Sequence, residues 1–560
     1  MVDSSPFRSG NKKQSSNKKS VDDYLVEFDR LYAGQLCEAN LNILLRKKSQ
    51  FVGTKCLNSA LRFVASAIKN AKLRKLCSPH IQTILFELTL PLMLISEQEF
   101  NLWNENPIEY VRMQVDFSNP WNVKRTNQDL IKAICNIKKT RKNKISDYLS
   151  AYLSMIVENM QAPPSEDFRH KEALMHAFGL LNLHMAATTD YQDNAVGMLA
   201  NFVFPELTSD NGFMRARASW IYGQFSQFEF KDQDHLRAVL DALYKNLEHS
   251  DLPVRVNSAI ALIKMLDQEA AVEFIRPGLS VVIKIYLKLI DDIDYDELIE
   301  SLKKIVDVFE EEIGPHALNL CEKLGEAFLR LNEQKKANQE GGNALDVDAE
   351  TSLSCEGLMT AIRRILQSIN GKFPELYPQL ELVLQQPIYE TLIDIETTST
   401  DEGLTCLAEL LYHQNGVSQT MWNFFQHITE SIMSDKGILD QFINPAFVVI
   451  INIMNRDPGS FTTVSFVNPQ GQTQNAMDMT LNLANKAFTM ARDMNDEIEA
   501  VTAITLLNAM LENINGLQPI LPDILGKFLD ELQQAATPDY QIMLTQGVLM
   551  CLWYDFGLTL

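Results

Sequence analysis

The chain has 560 residues, of which 46% are hydrophobic and 22% charged, and its formal net charge is −22. This composition is typical of a folded protein with a large core, and it excludes collagen-like and mostly disordered chains. The chain has 72 acidic and 50 basic residues. This surplus of negative charge repels nucleic-acid phosphates and anionic lipid and attracts basic proteins, so we expect no direct binding to nucleic acid or membrane.

The cysteines and the apolar segments indicate the compartment. Eight cysteines are spread singly, none in a C-x-x-C metal-binding spacing, which is typical of reduced thiols in a reducing environment. The basic N-terminus is not followed by the apolar run of a secretory signal. The longest apolar stretches, 84–95 and 447–454, are shorter than the ~18–20 residues that span a bilayer. We expect a soluble intracellular protein.

In chain order, the first segment is a Ser- and Lys-rich tail over residues 1–20, with five basic residues and one acidic residue, which we predict to be disordered. From about residue 21 onward, hydrophobic residues recur with the 3.6-residue period of a helix, and no alternating strand pattern is found. The sequence predicts an all-α chain without a β-sheet.

A basic cluster lies in the first part of this helical region. Docking of an acidic protein partner is one interpretation, but a solvated turn between helices is favoured. The cluster consists of Lys124, Arg125, Lys132, Lys138, Lys139, Arg141, Lys142 and Lys144, against Asp129.

Residues 236–266 predict a helical hairpin. Hydrophobic residues from Leu236 to Leu247 follow one helical face, and after a turn at 248–253 a second helix carries Val256 to Leu266 on its main face. Leu262 and Met265 give the second helix another apolar side. A helix with two apolar faces must be sandwiched, as is the inner helix of a stacked hairpin.

The hairpin is one copy of a repeat. Its turn and second helix, with Asp251, Arg255 and Ala259, match the signature of a HEAT repeat, and similar copies begin at Asp210 and Asp167. The spacing of about 40–47 residues is that of HEAT and armadillo repeats. Aspartate is expected to cap the second helix, and arginine to reach an acidic group or carbonyl of a neighbouring repeat. Weaker copies begin near Asp296, Ser354, Thr400 and Asn495.

An acidic strip follows at residues 291–312, opposed by Lys303 and Lys304 only. Its first part is predicted to be an exposed turn between two helices, suited to lysine- and arginine-rich partners. A solvated surface that contributes only solubility is the alternative. The candidate partner-binding residues are Asp291, Asp292, Asp294, Asp296, Glu297, Asp346 and Asp348.

Two segments interrupt the repeat pattern. Residues 333–353 are polar and aperiodic, and we predict a flexible acidic insertion there. Residues 457–476, rich in Pro and Gly, predict a second loop whose hydrophobic residues pack locally. The predicted organisation is thus a tail (1–20), a first solenoid part (21–332), the insertion (333–353) and a second solenoid part (354–560).

No catalytic or cofactor signature is present in the sequence. The phosphate-binding, dinucleotide-binding, H-E-x-x-H and G-x-S-x-G motifs are all missing. His170, His176 and His184 have helical offsets that do not bring three imidazoles to one metal. The sequence therefore predicts neither an enzyme nor a cofactor or metal site.

Three motifs carry a resemblance to a known family. Leu102–Met113 reads as a helix start, with Asn106 as N-cap and Pro107 at the first position, and it resembles the W-x-x-(D/N)-P-x-E-Y-(I/V)-R signature of the importin-β (karyopherin-β) superfamily. Residues 79–93 and 212–220 are similar to segments of its importin-seven/importin-eight branch. Together with the HEAT-repeat motif, these stretches give the residues that we assign to a structural repeat signature: Trp103, Pro107, Glu109, Tyr110, Arg112, Arg215, Arg217, Trp220, Asp251 and Arg255.

The resemblance covers about residue 50 to the C-terminus. Full receptors of this branch are nearly twice as long and bind the GTPase Ran through N-terminal repeats. Here the resemblance starts in the middle of such a receptor, which indicates a fragment or a shortened gene product. No Ran-contacting residue can be carried over to this sequence.

The resemblance implies a right-handed superhelix of about eleven HEAT hairpins. It also implies nuclear transport of basic cargo, such as ribosomal proteins or histones, with contacts to Phe-Gly nucleoporins and a Ran-dependent cycle. The expected location is the cytoplasm and nucleus, including the nuclear pore. A non-transport HEAT scaffold and an export receptor of the type that recycles importin-α are the alternatives.

Overall fold

The computed structural model describes residues 31–115, 121–138, 146–162, 167–293, 295–340, 347–393, 399–434, 438–467, 471, 473–494 and 497–555. The predicted tail, residues 1–20, lies outside these ranges. The chain divides into two compact units, Met1–Pro277 and Gly278–Leu560.

The first unit consists of helices joined by short turns. Its helices are α1 (Ala33–Arg46), α2 (Thr54–Lys69), α3 (Ala71–Cys77), α4 (Ile81–Thr83, continued by the π-helical turn Ile84–Leu88), α5 (Glu97–Glu105), α6 (Pro107–Val115), α7 (Val123–Cys135), α8 (Asp147–Gln161), α9 (Phe168–Gly179), α10 (Asn182–Met185), α11 (Thr189–Met198), α12 (Gly212–Gln224), α13 (Gln233–Asn246), α14 (Leu252–Lys264) and α15 (Glu269–Ile275).

Within the first unit, every second long helix stacks on its counterpart in the neighbouring hairpin. Helix α2 packs along α7, and α12 packs along both α9 and α14. Because α14 has neighbours on two sides, it buries hydrophobic residues around most of its circumference, from Val254 to Ile263. The prediction of a sandwiched inner helix is confirmed.

Short polar side chains begin the stacked helices. A carboxylate oxygen of Asp167 accepts the backbone N–H of Arg169 at 3.0 Å, and the amide oxygen of Asn211 accepts that of Phe213 at 3.0 Å. Asp251 precedes α14, but its side chain makes no capping hydrogen bond to that helix in the described structure. The expected aspartate cap is thus confirmed at Asp167. In the repeat copy that begins at Asp210, Asn211 caps the helix instead. At Asp251 the expectation is wrong.

Two arginines of the repeat motif pair with acidic residues of a preceding hairpin. Arg217 Nε on α12 donates to Glu172 Oε1 on α9 at 2.6 Å, and both side chains are at least nine-tenths buried. Arg169 on α9 pairs with Glu97 on α5 at 2.6 Å, in a more exposed setting. These pairs join neighbouring repeats, as the motif predicted.

The other two arginines bind mainly to the turns that precede their own helices. Arg215 Nε donates to the carbonyl of Ser209 at 2.8 Å, although its Nη1 also reaches Asn246 on the following helix at 3.4 Å. Arg255 Nη1 donates to the carbonyls of His249 and Ser250 at 2.9 and 2.8 Å. The expected neighbouring-repeat partner of Arg255 is therefore wrong, because its side chain folds back onto its own turn.

The second unit continues the helical pattern and contains two short strands. Its elements are α16 (Leu279–Asp292), α17 (Asp296–Val308), α18 (Ala317–Glu340), α19 (Val347–Ile369), α20 (Tyr377–Ile393), α21 (Thr400–His413), α22 (Gln419–Met433), α23 (Ile443–Arg456), α24 (Pro458–Phe461), β1 (Ser465–Val467), β2 (Thr473–Asn475), α25 (Ala476–Met494), α26 (Ile498–Asn513), α27 (Leu521–Leu532) and α28 (Pro538–Tyr554).

In the second unit, one set of helices stacks in the order α17, α19, α21, α23, α26 and α28, and α18 packs along α20 on the other layer. Each stacked helix buries hydrophobic residues against the helix before it and the helix after it. The predicted all-α, HEAT-repeat class is confirmed for both units.

The prediction of a flexible insertion at 333–353 is wrong for most of that segment. Helix α18 runs to Glu340, and α19 begins at Val347. On α18, Lys336 pairs with Glu390 of α20 at 2.5 Å, and the neighbouring Lys335 is 2% exposed. Residues 333–340 and 347–353 of the segment therefore lie on helices, whereas Gly341, Gly342 and Asp346 lie outside the described residues.

The predicted loop at 457–476 contains a small antiparallel hairpin of β1 and β2, with Phe466 opposite Gln474. Phe466 and Phe461 are buried against the aromatic rings of Trp422 and Phe425. The expected local packing is confirmed for these two phenylalanines. The expected absence of strands is wrong, because alternation over only three residues is too short to stand out in the sequence.

Among the described residues, no single helix is long and apolar enough to cross a membrane. One bent pair of helical segments, Ala71–Leu88 and Pro91–Glu105, is together long and apolar enough by length and composition alone. The two segments meet at an angle of 50°.

Candidate protein-binding surface

The acidic strip lies where α16 ends and α17 begins. Asp291 and Asp292 close α16, and Asp296 and Glu297 form the first turn of α17, so only 293–295 separate the helices. The predicted exposed turn is therefore mostly helical. Asp291, Asp292 and Asp296 are exposed, whereas Glu297 is half-buried.

Three predicted partner-binding residues remain without a described side chain. Asp294 and Asp346 lie outside the described residues, and Asp348 lies in the first turn of α19.

The two pairs of carboxylates differ in their interaction with the helix macrodipole. Asp296 and Glu297 are favourable at a helix N-terminus, where the macrodipole stabilises negative charge. Asp291 and Asp292 stand at the C-terminus of α16, where the same dipole opposes them by ~0.3–1 kcal/mol each. Helix stability therefore accounts for the first pair of carboxylates and not for the second.

Part of the strip is neutralised within the protein. Asp291 lies 4.0 Å from Arg330, Glu300 pairs with Lys303 at 2.6 Å, and Asp296 accepts the hydroxyl of Ser354. No ion pair in the described part of the chain involves Asp292. The strip thus retains negative charge that no basic side chain of the described residues offsets.

A groove of about 220 Å³ opens between α17 and α19 beside the strip. It contains three carboxylates and one ammonium group, so its interior is acidic. The lining residues are Asp296, Ile299, Glu300, Lys303, Glu356, Gly357 and Thr360. We call this the acidic groove.

The acidic character continues onto α21. Burial raises the pKa of Glu402, Arg363 opposes this shift from 2.8 Å, and Asp401 and Glu356 add to it. The hydroxyl of Thr360, which lines the acidic groove, donates to the backbone carbonyl of Glu356 at 2.8 Å. Carboxylates therefore follow one another across three stacked helices.

Glu356 and Glu402 were not expected from the sequence to belong to this acidic surface. Both lie outside the contiguous acidic run, 56 and 102 residues beyond Glu300. Glu356 lines the groove, and Glu402 lies close enough to Glu356 to interact electrostatically, because α17, α19 and α21 stack on one another. The available signal was an acidic residue close to each weaker repeat start, near Ser354 and Thr400.

The basic cluster is only partly described. Lys124 is bound to Glu99 at 2.8 Å and is mostly buried, so it stabilises the fold. Arg125 and Lys132 lie on α7 beside Asp129. Lys139, Arg141, Lys142 and Lys144 lie outside the described residues.

The family signature residues meet in an aromatic cluster. Trp103 stacks on Phe213 with 4.0 Å between ring centroids and meets Tyr110 edge-on at 4.9 Å. Gly212 is essential to this arrangement, because a Cβ there would lie 2.9 Å from Trp103 and 2.3 Å from Asp251. The motif around Trp103 and the motif around Phe213 therefore pack directly against each other.

The remaining signature residues surround this cluster or lie at the surface. The guanidinium of Arg217 lies 4.9 Å from the ring of Trp220. Asn106 accepts the backbone N–H of Glu109 at 3.3 Å, which confirms it as the N-cap before Pro107. Glu109 and Arg112 are exposed on α6.

His176 is the most deeply buried of the three histidines that the sequence singled out. No group of three or more His, Cys, Asp or Glu residues among those described is arranged to hold a metal ion. His176 is buried, packs edge-on against Trp220, and lies 3.4 Å from Gln128. Burial lowers the pKa of His176 well below its usual value, and the charges of Arg217, Lys124 and Lys132 lower it further.

This shift predicts a loss of stability in weak acid. Below pH ~6.5 the unfolded chain protonates His176 while the folded chain keeps it neutral, so the free energy of unfolding falls as the pH falls. Between pH 7 and 5.5 we expect the His176→Asn variant to lose about 1 kcal/mol less than the wild type, measured by urea unfolding at both values. An identical pH dependence for the two proteins contradicts the assignment.

The chain is similar to one family model and to several curated proteins. A family model described as Cse1 matches residues 23–208. An importin beta-like SAD2 homolog of Arabidopsis thaliana is 27% identical over 538 residues, which is 95% of this chain and 50% of the relative. Importin-8 of Danio rerio is 27% identical over 423 residues, which is 71% of this chain and 39% of the relative. The chain spans about half the length of the curated relatives it matches.

Solved structures share the fold. The exportin Cse1 in its cargo-free, cytoplasmic state has a TM-score of 0.69 at 16% identity and covers 95% of this chain and 55% of that protein. Kap95p, in a complex with RanGDP, has a TM-score of 0.57 at 13% identity, covering 95% and 58%. A Kap95:Nup1 complex has a TM-score of 0.51 at 13% identity, covering 95% and 59%.

Proposed function

Because the chain belongs to the importin-β (karyopherin-β) superfamily, among relatives of the importin-7/importin-8 branch, we propose that it binds lysine- and arginine-rich cargo for import into the nucleus. This family consists of nuclear transport receptors, which are not enzymes. The proposed cargo class is basic proteins such as ribosomal proteins and histones, and the proposed location is the cytoplasm, the nuclear pore and the nucleus.

The acidic groove is the observation that carries this proposal. Asp296, Glu300 and Glu356 face a space of about 220 Å³ and are opposed there by Lys303 alone. A lysine or arginine side chain entering the groove replaces lost hydration with charge-assisted hydrogen bonds to these carboxylates. The exposed Asp291 and Asp292, together with Asp294, extend the proposed surface beyond the groove, and long-range attraction to them speeds the encounter with cargo.

Removal of the groove carboxylates tests the proposal. We expect the variant Asp296→Asn/Glu300→Gln/Glu356→Gln to bind a lysine-rich histone-tail peptide about tenfold more weakly at 0.1 M salt, equal to ~1.4 kcal/mol. The salt dependence of the affinity is expected to decrease in parallel, because fewer charges attract the peptide. Fluorescence anisotropy with a labelled peptide measures both effects.

A matched control separates a local site from general acidity. Glu322, Asp523 and Asp530 are exposed and lie outside the groove, and Asp523 stands in the first turn of α27 as Asp296 does in α17. Their change to Gln, Asn and Asn removes the same charge and is expected to weaken binding less than twofold. Equal losses from the two variants contradict the groove as the cargo site.

Nucleoporin binding is a separate part of the proposal. On α20, Leu382 and Tyr389 are 66% and 40% exposed, and their spacing of seven residues places them on one helical face. Such exposed apolar side chains suit the phenylalanines of Phe-Gly nucleoporins. The Kap95:Nup1 complex, whose fold this chain shares, supports this assignment.

Export is a second candidate, favoured by the Cse1 family model and the Cse1 structure. Whether a receptor imports or exports its cargo depends on whether Ran loaded with GTP weakens or strengthens cargo binding. We propose that Ran loaded with GTP weakens cargo binding, as an import receptor requires for release in the nucleus, whereas an export receptor requires the opposite sign. The anisotropy assay with and without Ran and GTP decides between them. A non-transport scaffold predicts no coupling.

A further inference from the structure

The first unit contains a second groove, whose charge is opposite to that of the chain as a whole. It has a volume of about 560 Å³ and lies between α2 and α7. We call it the basic groove. Its lining residues are Arg62, Ala65, Ser66 and Lys69 on α2, and Asn122, Arg125, Thr126, Asp129, Lys132, Ala133 and Asn136 on or beside α7.

Four cations face this space and one carboxylate, that of Asp129, opposes them. This local excess of positive charge occurs in a chain with a net charge of −22. No ion pair within the described residues involves the ammonium groups of Lys69 and Lys132. Both therefore remain available to a negatively charged ligand.

Helix stability accounts for only part of this arrangement. Lys69 and Lys132 lie in the last turns of α2 and α7, where the macrodipole favours positive charge. Arg125 lies in the first turn of α7, where the dipole opposes it, and Arg62 lies in the middle of α2. Both arginines have partners within the protein, so the charge available to a ligand is mainly that of Lys69 and Lys132.

The uncharged lining residues suit an extended peptide. Ala65 and Ala133 are buried and give the groove a smooth apolar floor, while Asn122 and Asn136 stand at either end of α7. Their separation of fourteen residues corresponds to ~21 Å along a helix, which is the length of about six residues of extended chain. The Oδ1 of Asn122 already accepts the backbone N–H of Arg125 at 3.1 Å, so its amide N–H groups are left to donate to a peptide carbonyl, whereas the amide of Asn136 can both donate and accept.

We propose that the basic groove binds an extended, Asp- and Glu-rich segment of a partner protein. The cations pair with the side chains of this segment, and the asparagines bind its backbone. A peptide is favoured over nucleic acid because the surrounding chain, with its large negative charge, repels a long polyphosphate more strongly than a short acidic segment. This proposal does not depend on the proposed transport function.

Binding of a labelled octaglutamate peptide to the whole chain tests the proposal by fluorescence anisotropy at 0.05 M NaCl. We expect the variant Lys69→Gln/Lys132→Gln to bind this peptide at least fivefold more weakly than the wild type. A second variant, Ser66→Glu, places a carboxylate at an exposed position inside the groove and is expected to have a similar effect. Circular dichroism checks that both variants keep their helix content.

The control is Lys72→Gln/Lys245→Gln, which removes two exposed positive charges outside the groove. We expect it to change the affinity less than twofold. Equal weakening by the groove variant and the control overturns the proposal, and so does the absence of binding by the wild type up to 1 mM peptide. Tighter binding of an octathymidylate oligonucleotide than of octaglutamate assigns the groove to nucleic acid instead.

Discussion

Replacement of Arg217 by alanine is expected to destabilise the first unit by about 3–5 kcal/mol, because it leaves a buried carboxylate without its counter-charge. The Glu172 side chain is 2% exposed, and Arg217 donates to it at 2.6 Å. The second carboxylate oxygen of Glu172 has no hydrogen-bond partner in the described structure. Arg217→Ala also removes the cation–π contact to Trp220. Urea unfolding measures the loss.

A double variant distinguishes a lost ion pair from general damage. In Arg217→Met/Glu172→Gln no buried charge is left, so most of the lost stability is expected to return. The exposed pair of Lys245 and Asp241, four residues apart on α13, provides a control, and Lys245→Ala is expected to leave the unfolding midpoint unchanged. A small effect of Arg217→Ala, equal to that of Lys245→Ala, contradicts a structural role for this arginine.

The second large effect is expected for Trp103→Ala, at about 3–5 kcal/mol, which is typical of a buried tryptophan replaced by alanine. Trp103 is 8% exposed and its ring fills the space between Phe213 and Tyr110. Its loss opens a cavity where α5, α6 and α12 meet, which the rigid helices cannot close. Thermal unfolding followed by far-ultraviolet circular dichroism gives the change.

Trp553 serves as the matched control, since it is 70% exposed on α28. Trp553→Ala is expected to change stability by less than about 0.5 kcal/mol. If Trp103→Ala is equally mild, the signature motif is not a packing device, and a ligand-binding role for Trp103 becomes the better explanation.

The sequence predicted the elements whose determinants are local. The apolar spacing from Leu236 to Leu247 gave α13, and the two apolar faces after residue 253 gave a sandwiched α14. Asn106 and Pro107 gave the start of α6. In each case, residues within a few turns of one another determine the outcome, so the 3.6-residue period and the capping chemistry suffice.

The acidic groove depended on information that the sequence does not display locally. Glu300 and Glu356 become neighbours because α17 stacks on α19, and Glu402 joins them through α21. The polar stretch after residue 332 suggested a loop because its partner, Glu390, lies more than fifty residues away. This pairing across repeats holds Lys336, in the described part of the segment, on helix α18 against α20.

Passage through the nuclear pore distinguishes a nuclear transport receptor from a helical-repeat scaffold that does not take part in transport. We propose to add the fluorescently labelled chain, of 63.6 kDa, to cells with a permeabilised plasma membrane and to measure fluorescence inside intact nuclei. We expect accumulation several-fold above that of an inert acidic protein of the same mass, and we expect this accumulation to be lost when a soluble Phe-Gly repeat fragment is added in excess. Exclusion from nuclei equal to that of the inert protein contradicts a role as a nuclear transport receptor.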